Sequence, residues 1–78
     1  MAHEQAKQYY HQALDIKIEF SDRYSQAGTY GQLGLLAQAQ ENYAEARVNL
    51  QIALDIFLEY QDNYWAGVTR ENLQRLPD

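Results

Sequence analysis

Apolar residues recur along this chain with the period of an α-helix. Ala6, Tyr10, Ala13 and Phe20 stand at i, i+4, i+7 and i+14, and Ala46, Leu50, Ala53, Phe57 and Tyr60 repeat and extend the series, which places each set on one helical face. The pattern predicts long helices over about 4–20 and 43–60. Between them, Tyr24 to Gln38 carries Ala27, Tyr30, Leu33, Gly34 and Ala37 on one side with no proline to interrupt it, predicting a helix over about 24–38. Trp65, Val68, Leu73 and Leu76 predict a fourth over about 64–76, closed by Pro77. Asp22 and Asp62 stand just before the shorter helices as N-caps. Asn42-Tyr43-Ala44-Glu45 offers a capping box, in which Asn42 and Glu45 each satisfy an amide at the start of the helix. Short turns between successive helices make neighbours antiparallel. The expected fold is all-α, four helices in antiparallel hairpins, forming a single domain over 1–78.

The chain also repeats itself. Ala13-Leu14-Asp15-Ile16 recurs as Ala53-Leu54-Asp55-Ile56, and the same 40-residue offset pairs Ala6 with Ala46, Glu19 with Glu59, Asp22 with Asp62, Tyr24 with Tyr64, Thr29 with Thr69 and Leu33 with Leu73. Apart from the ends, only Leu35 to Asn42 lies outside the two copies, which leaves no room for a second kind of domain. In long helix 43–60, Ile52, Leu54, Ile56 and Leu58 add apolar surface beyond the Ala46-Leu50-Ala53 stripe, as a helix packed on two faces requires, so this helix is expected to form the core.

Tyr30, Leu33-Gly34, Ala46, Leu50 and Ala53 together resemble a tetratricopeptide repeat. Ala6, Tyr10 and Ala13 repeat the second-helix half of the motif. Ala37 stands where that family usually has Tyr, and the 40-residue period exceeds the usual 34; Ala53-Leu54-Asp55-Ile56, Glu59 and Asp62-Asn63-Tyr64 are similar to the extended variety of the repeat. The resemblance implies hairpins stacked as a right-handed superhelical array that acts as a protein interaction or scaffolding module. It also gives the small residues a purpose: Gly34 marks the close approach of a first helix to its partner, where Ala46 and Ala53 nest.

By the same resemblance, ligands lie on the concave face made by first helices. Gly28, Gly31, Gln32, Leu35 and Gln38 are expected on that face, with Glu71, Asn72 and Arg75 from the last helix. One Arg and no Lys there argue against a clamp for a peptide carboxylate. Gly28, Gly31 and Gly34 recur every third residue of one helix although an interior Gly costs about 1 kcal/mol relative to Ala. Gly34 is read as packing, and Gly28 and Gly31 either as drift or as an entry for a closely approaching helix.

In repeat phase the chain runs from the second helix of one unit to the first helix of another, with one complete unit from about Ala27 to Asp62. Lys17 and Gln12 stand where the other copy has Phe57 and Ile52, making the first helix more polar, as a capping helix needs. Tyr9, Tyr10 and Ile16 remain apolar on it. Trp65, which faces Ser25 in the other copy, is the aromatic least explained by the repeat. These four residues are the candidates for self-association, and a self-associating structural element with no separate ligand is the alternative function. A 78-residue chain buries only about 60% of its unfolded surface, which also favours association with a second copy or with further repeats.

Charge and composition narrow the partners. Eleven acidic against six basic side chains give a net charge of -5, the wrong sign for nucleic acid or an anionic membrane. No segment reaches the ~18 apolar residues of a membrane span, and Met1 to Gln8 lacks a signal-peptide core. Zero Cys removes disulfides and thiolate chemistry and fits a reducing compartment, so cytoplasm is the expected location. His3 and His11 share a helix face with Lys7, a cation that opposes a metal. The pairs Asp15 with Glu19 and Asp55 with Glu59 recur in both copies as a solvated face, whereas catalytic carboxylates need distinct environments. With no Ser/His/Asp set or phosphate-cradling loop, no enzyme activity and no cofactor or metal is expected.

Overall fold

The computed structural model describes residues 5–12 and 22–77. Residues 5–12 are helical (α1) and are followed by α2 (Arg23–Ala39), α3 (Tyr43–Glu59) and α4 (Asn63–Arg75). There is no strand among the described residues, and α3 packs on both α2 and α4. Three-residue connections at 40–42 and 60–62 force α2 and α3, and α3 and α4, to run antiparallel, giving two helical hairpins that share α3. The rest of the expected first helix, with Ala13, Asp15, Ile16, Lys17 and Glu19, lies outside the described residues.

Both connections have the same design. The side chains of Asp22, Asn42 and Asp62 accept the amides of Ser25, Glu45 and Trp65 at 3.2, 3.4 and 3.1 Å, so each supplies an acceptor to an orphan N–H in the first turn. Helices α2 and α3 end in Schellman motifs. Glu41 N–H bonds Gln38 O and Asn42 N–H bonds Ala37 O at 2.9 and 2.8 Å; Gln61 and Asp62 repeat this on Leu58 and Phe57 at 3.0 and 2.8 Å. The left-handed positions are held by Glu41 (φ 61°) and Gln61 (φ 58°), where glycine is the usual occupant. The capping box forms only one of its arms. Asn42 N–H is already taken by Ala37 O, so the Glu45 carboxylate instead accepts the Asn42 side-chain amide at 2.8 Å and pairs with Lys7 of α1 at 2.9 Å. α4 ends at Leu76, extended at φ -69° and ψ 135°, the conformation that Pro77 imposes on its predecessor.

The core has two adjoining parts. In one, Ala27 of α2 meets Ala53, Leu54, Ile56 and Phe57 of α3 and Ala66 of α4, with Tyr30, Ile52 and Leu73 against them. In the other, Ala37, Ala46, Leu50 and Leu76 cluster under Tyr43 and Leu73. Ala46 and Ala53 are fully buried, and so are Leu33 and Leu50. A Cβ built on Gly34 would lie 2.6 Å from Leu50 Cγ and 2.8 Å from Leu50 Cδ2. The absence of a side chain at Gly34 therefore lets α2 and α3 approach this closely. Leu58 departs from the expected core role: it is exposed, because it projects on the outward side with Gln51 and Asp55.

The 40-residue repeat survives in the packing of α4, but only in part. Ala66, Thr69 and Leu76 are buried and Leu73 half-buried, matching Gln26, Thr29, Leu36 and Leu33 of α2. The second face of α2, with Ala27, Tyr30, Gly34 and Ala37 on α3, becomes Gly67, Arg70, Gln74 and Pro77, of which the last three are exposed.

Candidate functional site

Since α2 and α4 flank α3 on the same side, the space between them forms a groove with α3 as its floor. The hollow measures about 300 Å³, at the small end for a ligand pocket. Ser25, Gly28, Gly31, Gln32 and Leu35 form one wall; Trp65, Val68, Thr69 and Asn72 form the other; Leu50 and Phe57 lie beneath. A Cβ at Gly28 or Gly31 would meet no atom of the described residues within 4 Å, so these glycines leave α2 backbone open to the groove and serve no contact among those residues.

Five of the eight expected concave-face residues line this groove: Gly28, Gly31, Gln32, Leu35 and Asn72. Gln38, Glu71 and Arg75 stand outside its lining; Gln38 is half-buried and the other two are exposed. Gln32 and Asn72 occupy equivalent repeat positions on opposite walls, where they offer amide donors and acceptors to the groove. Thr69 does not offer its hydroxyl proton, which it donates to Trp65 O at 2.8 Å.

One end of the groove is aromatic. Trp65 stacks on Tyr64 at 5.1 Å and on Phe57 at 6.4 Å, while Tyr24 meets Phe57 edge-on at 6.0 Å and Tyr60 at 5.2 Å. The Tyr24 hydroxyl donates to Asp62 Oδ2, while Asp62 Oδ1 caps α4. That bond to the carboxylate, aided by desolvation and the negative charge, holds the Tyr24 phenol above its ordinary pKa. Arg23 Nε donates to Glu59 at 2.7 Å, which raises the guanidinium pKa further by hydrogen bonding and charge. This aromatic row was not read as a unit from the sequence. The alignment of Trp65 with Ser25 was the available signal, marking an aromatic that the repeat does not explain.

Among the self-association candidates, Tyr9 and Trp65 are exposed, Tyr10 is half-buried with its ring edge-on to Tyr9 at 6.0 Å, and Ile16 lies outside the described residues. Asp55 accepts from Gln51 at 2.9 Å while Glu59 pairs with Arg23, so each member of this acidic pair has its own partner. Among the described residues no three His, Asp or Glu side chains converge, and no helix is long and apolar enough to cross a membrane. No protein-family model matches the chain, and neither does any curated protein or solved structure.

Proposed function

We propose that this chain is a protein interaction module of the tetratricopeptide-like kind, with its hairpins stacked in a right-handed superhelical sense. In this reading it binds a peptide or helix along the groove between α2 and α4 and performs no chemistry. The observation that carries the reading is the bare backbone at Gly28 and Gly31, which incurs the helix cost of glycine yet faces an open hollow. A cysteine-free chain of this kind suits the cytoplasm. The test is selection of binders from a displayed random-peptide library, counter-screened against Gly28→Leu with Gly31→Leu. Leucine fills the groove and is a good helix former, so the variant stays folded. Peptides that bind the parent and lose at least tenfold on the filled variant are expected; equal binding to both would end the reading.

A second reading, self-association without a separate ligand, draws on the exposure of Tyr9, Tyr64 and Trp65. Light scattering across a concentration series, with helicity followed on the same samples, separates the two. A concentration-independent helical monomer supports the groove, and an oligomer that loses helicity on dilution supports assembly.

A further inference from the structure

The aromatic end of the groove has a chemistry of its own. Tyr24, Tyr60, Tyr64 and Trp65 are 40%, 49%, 66% and 49% exposed, although Tyr24 lies against Tyr60, Trp65 lies against Tyr64, and buried Phe57 joins the two pairs through Tyr24 and Trp65. Solvent thus reaches four large rings at one place on a small protein. Rings of this kind present negative π-faces, which attract cations and do so more strongly beside a carboxylate.

The carboxylate is in place and fixed. Asp62 has one oxygen on the Trp65 amide and the other on the Tyr24 hydroxyl, so its position among the rings is set before any ligand arrives. Among the described residues Glu59 and Asp62 stand at this end beside Arg23, and Arg23 is held by Glu59 at 2.7 Å, which leaves the Asp62 charge facing the rings. The N-terminal dipoles of α2 and α4 would repel a cation here, but Asp22 and Asp62 cap both helices, and the C-terminus of α3, at the same end, favours positive charge. The net charge of -5 acts in the same direction at long range.

The geometry points to a subsite for a cationic side chain, Lys or Arg, of a partner protein segment, seated against Tyr24, Tyr60, Tyr64 and Trp65 beside Asp62. The subsite deepens the groove reading and rests on it, since Tyr24 and Trp65 belong both to the groove lining and to the aromatic row. It makes the partner a segment with apolar or small residues over Gly28 and Gly31 and a basic residue at the α2 and α4 N-terminal end. It also gives the binding a direction along the groove.

The test uses argininamide and its isostere citrullinamide, both acetylated at Nα so that the guanidinium is the only charge and citrullinamide is neutral, at constant ionic strength, with the signals of Trp65, the one tryptophan of the chain, and of the nearby tyrosines followed by NMR. Argininamide is expected to shift these signals saturably, with an apparent affinity about threefold or more above that of citrullinamide. Asp62→Asn keeps a good N-cap through its Oδ1 and turns an amide NH2, which can donate to the hydroxyl oxygen, toward Tyr24, but removes the charge. It is expected to weaken argininamide about threefold with helicity unchanged, and Trp65→Leu should do the same. Equal responses to the two amides, or full affinity in Asp62→Asn, would overturn the subsite. Failure of the groove reading shows separately. Gly28→Leu with Gly31→Leu leaves the aromatic end intact and should lose library peptides while keeping the argininamide response. Library peptides that occupy the groove but tolerate citrulline in place of every basic residue would remove the subsite and leave the groove.

Discussion

Four glycines lie inside helices here, and the structure assigns them opposite effects. Replacing Gly34 with Ala would put a Cβ at 2.6 and 2.8 Å from Leu50 Cγ and Cδ2 and at 3.3 Å from its backbone nitrogen, where carbon contacts normally begin at about 3.5 Å. Leu50 is 1% exposed, and its branch carbon, not a flexible tip, is in the way. Overpacking of this kind costs about 1–3 kcal/mol, and exchanging an interior helical Gly for Ala returns about 1 kcal/mol. The net expectation is a loss of up to about 2 kcal/mol, or as much as roughly 15 °C in melting temperature for a chain of this size. Gly28→Ala and Gly31→Ala meet no atom and should each gain about 0.5–1 kcal/mol. Thermal and urea unfolding followed by circular dichroism on the three variants provides the comparison. In a Leu50→Ala background the cost of Gly34→Ala should vanish, because the obstructing atoms are gone. A Gly34→Ala variant that gained stability like the other two, or kept its penalty without Leu50, would refute the close approach of α2 and α3.

Further outcomes follow from the corners and the charges. Glu41→Gly and Gln61→Gly relieve left-handed backbone at φ 61° and 58° and should each stabilise by about 1 kcal/mol in urea titrations; a loss at both sites would contradict the Schellman geometry. Asp22→Ala and Asn42→Ala each remove an N-cap acceptor and should cost about 1 kcal/mol, whereas Asp22→Asn and Asn42→Asp should cost much less. The raised pKa of Tyr24 means that the folded state holds its phenolic proton more tightly than the unfolded chain. The corresponding stability is complete below the ordinary tyrosine value near 10 and lost as pH rises through the folded value. Unfolding measured from pH 8 to 11 should therefore show a decline above about pH 10 that is shallower in Tyr24→Phe, and identical slopes would deny the Tyr24 to Asp62 bond. Arg23→Gln removes an exposed ion pair and should change stability by less than about 1 kcal/mol.

Features that depend on local rules were legible in the sequence. Helix positions followed from apolar spacing, the caps at Asp22, Asn42 and Asp62 from residue type, and the packing role of Gly34 from its place in the repeat. The corners were less legible because Glu41 and Gln61 adopt the conformation that glycine would have announced. Leu58 was misplaced because an apolar residue on a helix packed on two faces can still fall in the solvent sector between them. Gly28, Gly31, Gln32, Leu35 and Asn72 were placed together only through the resemblance to tetratricopeptide repeats, whereas the aromatic row was missed. Its members Tyr24, Phe57, Tyr60, Tyr64 and Trp65 come from three helices and a corner, and only tertiary packing makes them neighbours.

The two walls of the groove are held unequally, and the difference is written in the repeat. α2 buries two faces, one of them tied to α3 through the Gly34 and Leu50 contact, so its distance from the floor is set by backbone proximity. α4 buries one face through Ala66, Thr69, Leu73 and Leu76, while Arg70, Gln74 and Pro77 stand where α2 presents Tyr30, Gly34 and Ala37. What else holds α4 lies at its ends: Asp62 and Tyr24 at the start, and Arg47 donating to Pro77 O at 3.0 Å at the finish. The wall formed by α2 is therefore packed on two faces, with open backbone at Gly28 and Gly31, and the wall formed by α4 is packed on one face and secured by terminal polar contacts. Of those contacts, the Tyr24 and Asp62 pair belongs to the same end that would receive a cation, so occupancy there would bear directly on how α4 is held.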